Sequence, residues 1–179
     1  MAQREKLLDP TGFDALTADT TLAPRPGSLR GLRVGLLDNT KPNAAVLLEH
    51  IAGQLRERHG VGEARMYAKH YFGTPMKDEV LKQIVAECDL AITAVGDCGS
   101  CSAATVADGI MLERAGVPAV AIVSDSFLVS GRAMAQVQGF PGYDFVAVRH
   151  PIASLDEGEL HERVQDVLPH IQRILGVGA

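Results

Sequence analysis

Two thiols three residues apart, Cys98 and Cys101, stand in the run Gly96-Asp97-Cys98-Gly99-Ser100-Cys101-Ser102 and are the side chains best suited to chemistry. An apolar run from Leu90 to Val95 precedes them, and a helical-looking segment from Ser102 to Ala115 follows. A buried strand, a glycine-bearing turn and a helix start place the sulfurs among backbone N–H groups that lack intrahelical partners, at the positive end of a helix dipole. That setting favours a thiolate and draws a cysteine pKa below its free value of about 8.5. Cys98 is therefore the candidate nucleophile. Cys101, at Cys-x-x-Cys spacing, is the candidate resolving thiol, and a Cys98–Cys101 dithiol or disulfide is the redox group this implies.

Polar residues at other predicted strand ends join these sulfurs. Asp97 accepts a proton or orients a ligand, or else only holds the turn by an Asx-type bond. When ionised it raises the pKa of the adjacent thiol unless a cation or the helix dipole outweighs it. Lys41 is the candidate cation. With Asn39 and Thr40 it offers donors to a substrate carboxylate or to a developing negative charge, the alternative being a plain helix entry. Gly99 and Ser100 belong to the substrate-facing loop, as does Ser102, which reads first as a helix cap. His150, before Pro151, is a candidate general acid or base near neutral pH, or an ordinary rim histidine. Asp125 and Ser126 supply polar lining. Glu113 is expected to support packing, and Cys88 to pack as a small hydrophobe.

The elements that must position these residues follow from periodicity. Leu32 to Leu37 reads as a first strand, and apolar residues from Ala45 to Leu55 recur at helical spacing until about His59. Ala64 to Lys69, Leu90 to Val95, Ala119 to Val123 and Asp144 to Val148 read as four more strands. Helices are expected from about Met76 to Glu87, up to Val137, and after Ser154. Strands alternating with helices, with the third and fourth strands almost wholly apolar, indicate a parallel sheet covered on both faces. The expected fold is a single-domain, doubly wound α/β sheet of five strands in flavodoxin-like order 2-1-3-4-5. Its ligand crevice lies beyond the carboxyl ends of the strands. Residues 1–31, rich in turn and proline signals, are expected to form an N-terminal arm over a neighbouring subunit or a loose tail, and residues 32–179 the α/β domain.

Composition narrows the function classes. A net charge of −5 with pI near 5.6 disfavours nucleic-acid binding. No apolar run reaches the roughly 20 residues of a membrane helix, and the polar first residues are not those of a secretory signal, so a cytoplasmic location is expected. Three cysteines, Cys88, Cys98 and Cys101, are too few for a disulfide scaffold. The chain lacks Gly-x-Gly-x-x-Gly, so no dinucleotide cofactor is expected. Two thiols make half a zinc site, and no metal is expected either. The thiol loop is similar to part of the Cys-x-x-Cys-Ser-Cys metal claw of nitrile hydratases, but Ala103 stands where the third cysteine belongs.

Leu37-Asp38-Asn39-Thr40-Lys41-Pro42-Asn43-Ala44, Gly96-Asp97-Cys98-Gly99-Ser100-Cys101 and Leu112-Glu113-Arg114-Ala115-Gly116-Val117-Pro118 together resemble the UGSC family. That family is named for a selenocysteine-Gly-Ser-Cys motif, and Cys98 occupies its first position. The resemblance spans about Leu32 to Pro151. More distantly, the loop and the Glu-x-Ala-Gly-x-Pro run are similar to selenoprotein B subunits of glycine, sarcosine, betaine and D-proline reductases. There a selenolate attacks the substrate carbon and displaces an amine. The resemblance implies a thiol-dependent enzyme, lyase or reductase-like, that cleaves or exchanges a carbon–sulfur or carbon–nitrogen bond of a small electrophilic substrate. The alternative is a non-catalytic thiol-carrier subunit of a larger complex. A homodimer is expected, with a partner subunit as a further option.

Overall fold

The computed structural model describes residues 19–178. Strands β1 (Val34–Asp38), β2 (Ala64–Ala68), β3 (Leu90–Gly96), β4 (Ala119–Ser124) and β5 (Val146–Val148) pair in parallel in the order β2-β1-β3-β4-β5. This is the doubly wound, flavodoxin-like arrangement expected from the sequence. Every residue of β3 and β4 is buried, because central parallel strands are covered on both faces and tolerate no polar alternation. In the edge strand β2 only Tyr67 is buried.

Helices α1 (Ala44–His59) and α5 (Glu157–Leu175) pack on one face through Leu47, Leu48, Ile51, Val164, Leu168 and Ile171. Helices α2 (Asp78–Glu87), α3 (Gly99–Arg114) and α4 (Leu128–Val137) cover the other. Asp156 caps α5, the helix expected after Ser154: the carboxylate accepts from Glu159 N–H and the Glu159 side chain accepts from Asp156 N–H. The expected fifth strand shortens to Val146–Val148. No helix among the described residues is long and apolar enough to cross a membrane.

Helix α3 is central and buried nearly all round, which its small residues permit. A Cβ added at Gly96 would lie 2.6 Å from the Ser102 Cα, so glycine is required where the end of β3 meets the start of α3. Two buried carboxylates on α3 then fasten distant segments. Glu113 accepts from Ala23 N–H (2.8 Å), Ala119 N–H (2.7 Å) and the Arg25 guanidinium (2.9 Å). The described part of the expected arm is thereby fixed to its own domain, with Ala23 and Leu29 buried; residues 1–18 lie outside the described residues. Asp108 accepts from Lys69 Nζ and from Met76 N–H, each at 2.6 Å. It thus holds both ends of the β2–α2 loop.

Candidate active site

Helix α3 begins three residues earlier than periodicity indicates, at Gly99, and this changes the role of two residues. Ser102, expected as the cap, lies inside the helix, fully buried, and its Oγ has no hydrogen-bond partner among the described residues. The cap is Cys98. Its backbone is extended and its Sγ accepts from Cys101 N–H at 3.3 Å. A sulfur replaces the usual cap oxygen, so negative charge on it meets both an orphan N–H and the helix dipole. The misplacement has a simple origin: Gly99-Ser100 reads as a turn by composition, while tertiary contact with β3 and α4 makes it helical.

One helical turn separates the two cysteines, with Cα atoms 5.4 Å apart, and their sulfurs are joined as a disulfide. That separation is ordinary for a bridged pair. Cys98 is partly exposed while Cys101 is buried. Cys98 is thus the more accessible residue of the pair. Ser100 Oγ lies 3.7 Å from Cys98 Sγ, and Gly99 comes close to Ser130 at the start of α4.

Asp97 holds a polar cluster at the ends of β3, β4 and β5. Its Oδ2 accepts from Ile152 N–H and Ala153 N–H, both at 3.0 Å, and its Oδ1 is 2.8 Å from His150 Nδ1. Burial pushes this carboxyl up, but the two amides, with Ser124 and His150, outweigh it and hold the pKa below the usual carboxylate value. An ionised carboxylate only accepts, so Nδ1 of His150 carries the proton and Nε2 is left as the basic nitrogen. Ser124 Oγ donates to Gly96 O at 3.1 Å and lies 3.3 Å from the same Nδ1. Asp125 Oδ1 accepts from His150 N–H at 3.1 Å, and Phe127 meets the imidazole edge-on at 5.5 Å. Because the Asp97 charge is met by these donors, its adjacency to Cys98 weighs less against a thiolate than sequence alone suggests. Ser126 is exposed and lies 3.5 Å from Asp125.

The β1 end is used differently. Asn39 is fully buried: its Nδ2 donates to Val95 O (2.7 Å), its N–H to Ala94 O (3.0 Å), and its Oδ1 accepts from Lys41 N–H (3.3 Å). It ties β1 to β3, leaving no group turned to solvent. Thr40 is exposed with φ of 65°, its N–H on Asp38 Oδ1 at 2.7 Å. Helix α1 is entered at Asn43, whose side chain donates to Ile152 O and Leu155 O. Lys41 Nζ sits 4.3 Å above the Phe72 ring, which stacks on Tyr71.

The structure thus brings Asp97, His150, Asp125 and Cys98–Cys101 to one rim and assigns Asn39 and Ser102 to the interior. The sequence reads as a loop at Tyr71-Phe72-Gly73 but marks none of these residues for a site, although a loop that follows β2 lies at that rim in any parallel sheet. Among the described residues no three His, Cys, Asp or Glu side chains are grouped to hold a metal ion.

No curated protein matches the chain significantly. The UGSC family model matches residues 6–177, well beyond the stretch that carries the three motifs. A strand, a capping cysteine and a second thiol one turn on give the motif its place in this fold, and the chain belongs to the UGSC family.

Proposed function

We propose that the chain is a thiol-dependent enzyme in which reduced Cys98 attacks a small electrophilic substrate and breaks or exchanges a carbon–sulfur or carbon–nitrogen bond. One arrangement supports this reading: the sulfur that caps α3 lies within bonding reach of a second thiol, and the residue before Cys98, Asp97, holds His150. His150 Nε2 takes the Cys98 proton as general base, with Asp97 positioning the imidazole. The thiolate pair forms a carbon–sulfur bond while the bond to the leaving amine or thiol breaks, and His150 returns the proton to that group.

Where the attacked carbon is next to a carbonyl or carboxylate, Cys101 completes the cycle. Its sulfur attacks Cys98 Sγ, the new carbon–sulfur bond breaks, and the carbon leaves as an enolate that takes up the Cys101 proton. The substrate gains two electrons and the cysteines lose two as the disulfide, which an external dithiol reduces by exchange. Lys41, and the Thr40 hydroxyl beside it, face the substrate carboxylate; Ser100 donates to the Cys98 sulfur, and Gly99 lets substrate approach it.

The test is intact-mass analysis of reduced protein incubated with carbonyl compounds bearing an α-amine or α-thioether. The expected result is a transient adduct on Cys98 that discharges as the disulfide forms, and a trapped adduct in Cys101→Ala. Absence of any adduct overturns the proposal. An adduct that persists on the wild-type protein identifies a thiol carrier instead.

A further inference from the structure

The β2–α2 loop presents an aromatic surface at the mouth of the thiol site. Asp108, itself fully buried, grips Lys69 at one end of this loop and Met76 at the other, each at 2.6 Å, which fixes the six residues between them. Within that span the Tyr71 ring folds over Gly73: a Cβ there would lie 2.8 Å from the ring and 3.4 Å from Ser100 Oγ. The Tyr71 and Phe72 rings are 4.4 Å apart, Phe72 carries the Lys41 ammonium at 4.3 Å, and Tyr71 remains 49% exposed. Phe72, which carries Lys41, is thus followed by a glycine whose backbone passes close to Ser100, and Ser100 Oγ lies 3.7 Å from Cys98 Sγ.

An exposed tyrosine clamped by a buried ion pair is more than a solvated loop needs. The neighbouring ring, Phe72, carries the Lys41 ammonium over its face. We infer that Tyr71 and Phe72 form a specificity wall for the substrate of Cys98, selecting a small carboxylate whose anion meets Lys41 and whose apolar skeleton lies on Tyr71. This inference rests on the nucleophile assignment above. Phe72 positions Lys41, and Gly73 allows the wall to stand against Ser100.

The probes are iodoacetate and iodoacetamide, which differ in charge at nearly equal size, with benzoate and benzamide as competitors. Labelling of Cys98 in the reduced full-length chain is followed by mass mapping. Lys41→Met is expected to lower the ratio of iodoacetate to iodoacetamide rates about tenfold, equivalent to roughly 1.4 kcal/mol, and Phe72→Leu to lower it in part. Benzoate is expected to protect Cys98 while benzamide does not, and Tyr71→Ala to remove most of that protection. An unchanged ratio in Lys41→Met, or equal protection by both competitors, overturns the wall. A Cys98 inert to both reagents overturns the nucleophile assignment itself, which is a separate outcome.

Discussion

His150 Nδ1 and Asp97 Oδ1 lie 2.8 Å apart across 53 positions of sequence, and the carboxylate side chain is 3% exposed against 36% for the imidazole. The acid is buried and committed while the base stands at the surface. Such an arrangement orients one ring nitrogen inward and leaves the other unengaged by the carboxylate, the geometry that the proposed general-base role of His150 requires.

Asp97→Asn is expected to slow Cys98 alkylation at neutral pH, because the amide no longer enforces the His150 tautomer. The loss of an anion that accepts buried donors also costs about 1–3 kcal/mol of stability. The folded pKa of Asp97 lies below its ordinary 3.8, so its contribution is present above that value and disappears as pH falls through the folded pKa. Urea denaturation of both proteins along an acid titration checks this: their stabilities converge on acidification, and parallel curves would refute the argument.

Reduced protein is expected to label at Cys98 well before Cys88. Cys88 is 5% exposed, and burial, only partly offset by the Tyr67 hydroxyl, pushes its thiol pKa up. Cys98 is partly exposed and receives an N–H at a helix start. Peptide mapping after brief treatment with a neutral alkylating reagent reads the order, and earlier labelling of Cys88 contradicts it.

Gly96→Ala is expected to destabilise the fold by about 1–3 kcal/mol through overpacking, since its Cβ would meet the Ser102 backbone and the Val123 side chain. Moving the start of α3 also shifts the Cys98 cap. Thermal denaturation and the Cys98 labelling rate should therefore change together; a stable variant with slow labelling would disconnect them.

Lys69→Met leaves the Asp108 carboxyl buried without its cation and is expected to cost about 3–5 kcal/mol at neutral pH. Burial already pushes Asp108 up to about 6 against the pull of Lys69. Its folded pKa is above the unfolded one, so its contribution is most favourable at low pH and erodes as pH rises. The variant's deficit should shrink below pH 6, where the carboxyl is neutral. Restoration by the double variant Lys69→Met/Asp108→Leu, followed by chemical denaturation, separates pair loss from packing loss.

Local pattern made the core elements legible. Leu90 to Val95 and Ala119 to Val123 read as buried strands because they are almost wholly apolar, with Thr93 the one polar side chain, and both are buried throughout. The parallel sheet followed from alternation with helices, five strands suggested the order that the structure has, and the Cys-x-x-Cys loop was placed at a strand end by the apolar run before it. The cap of α3 was not legible. Ser102 is the better cap by residue type, but seating α3 against Gly96 puts the helix start at Cys98–Gly99. The roles of Asn39 and Lys41 were equally hidden, since identical polarity serves a buried strand tie and a rim cation.

By itself the sequence determined the α/β class and the presence of two thiols at the carboxyl end of the third strand, because these depend on hydrophobic periodicity and short-range spacing. Only the tertiary structure decided which sulfur caps the helix, that Asp97 is held by the 150–153 segment, and that Tyr71 and Phe72 stand beside the thiol loop. Those relations join residues dozens of positions apart, through hydrogen bonds and close approaches that no local pattern encodes.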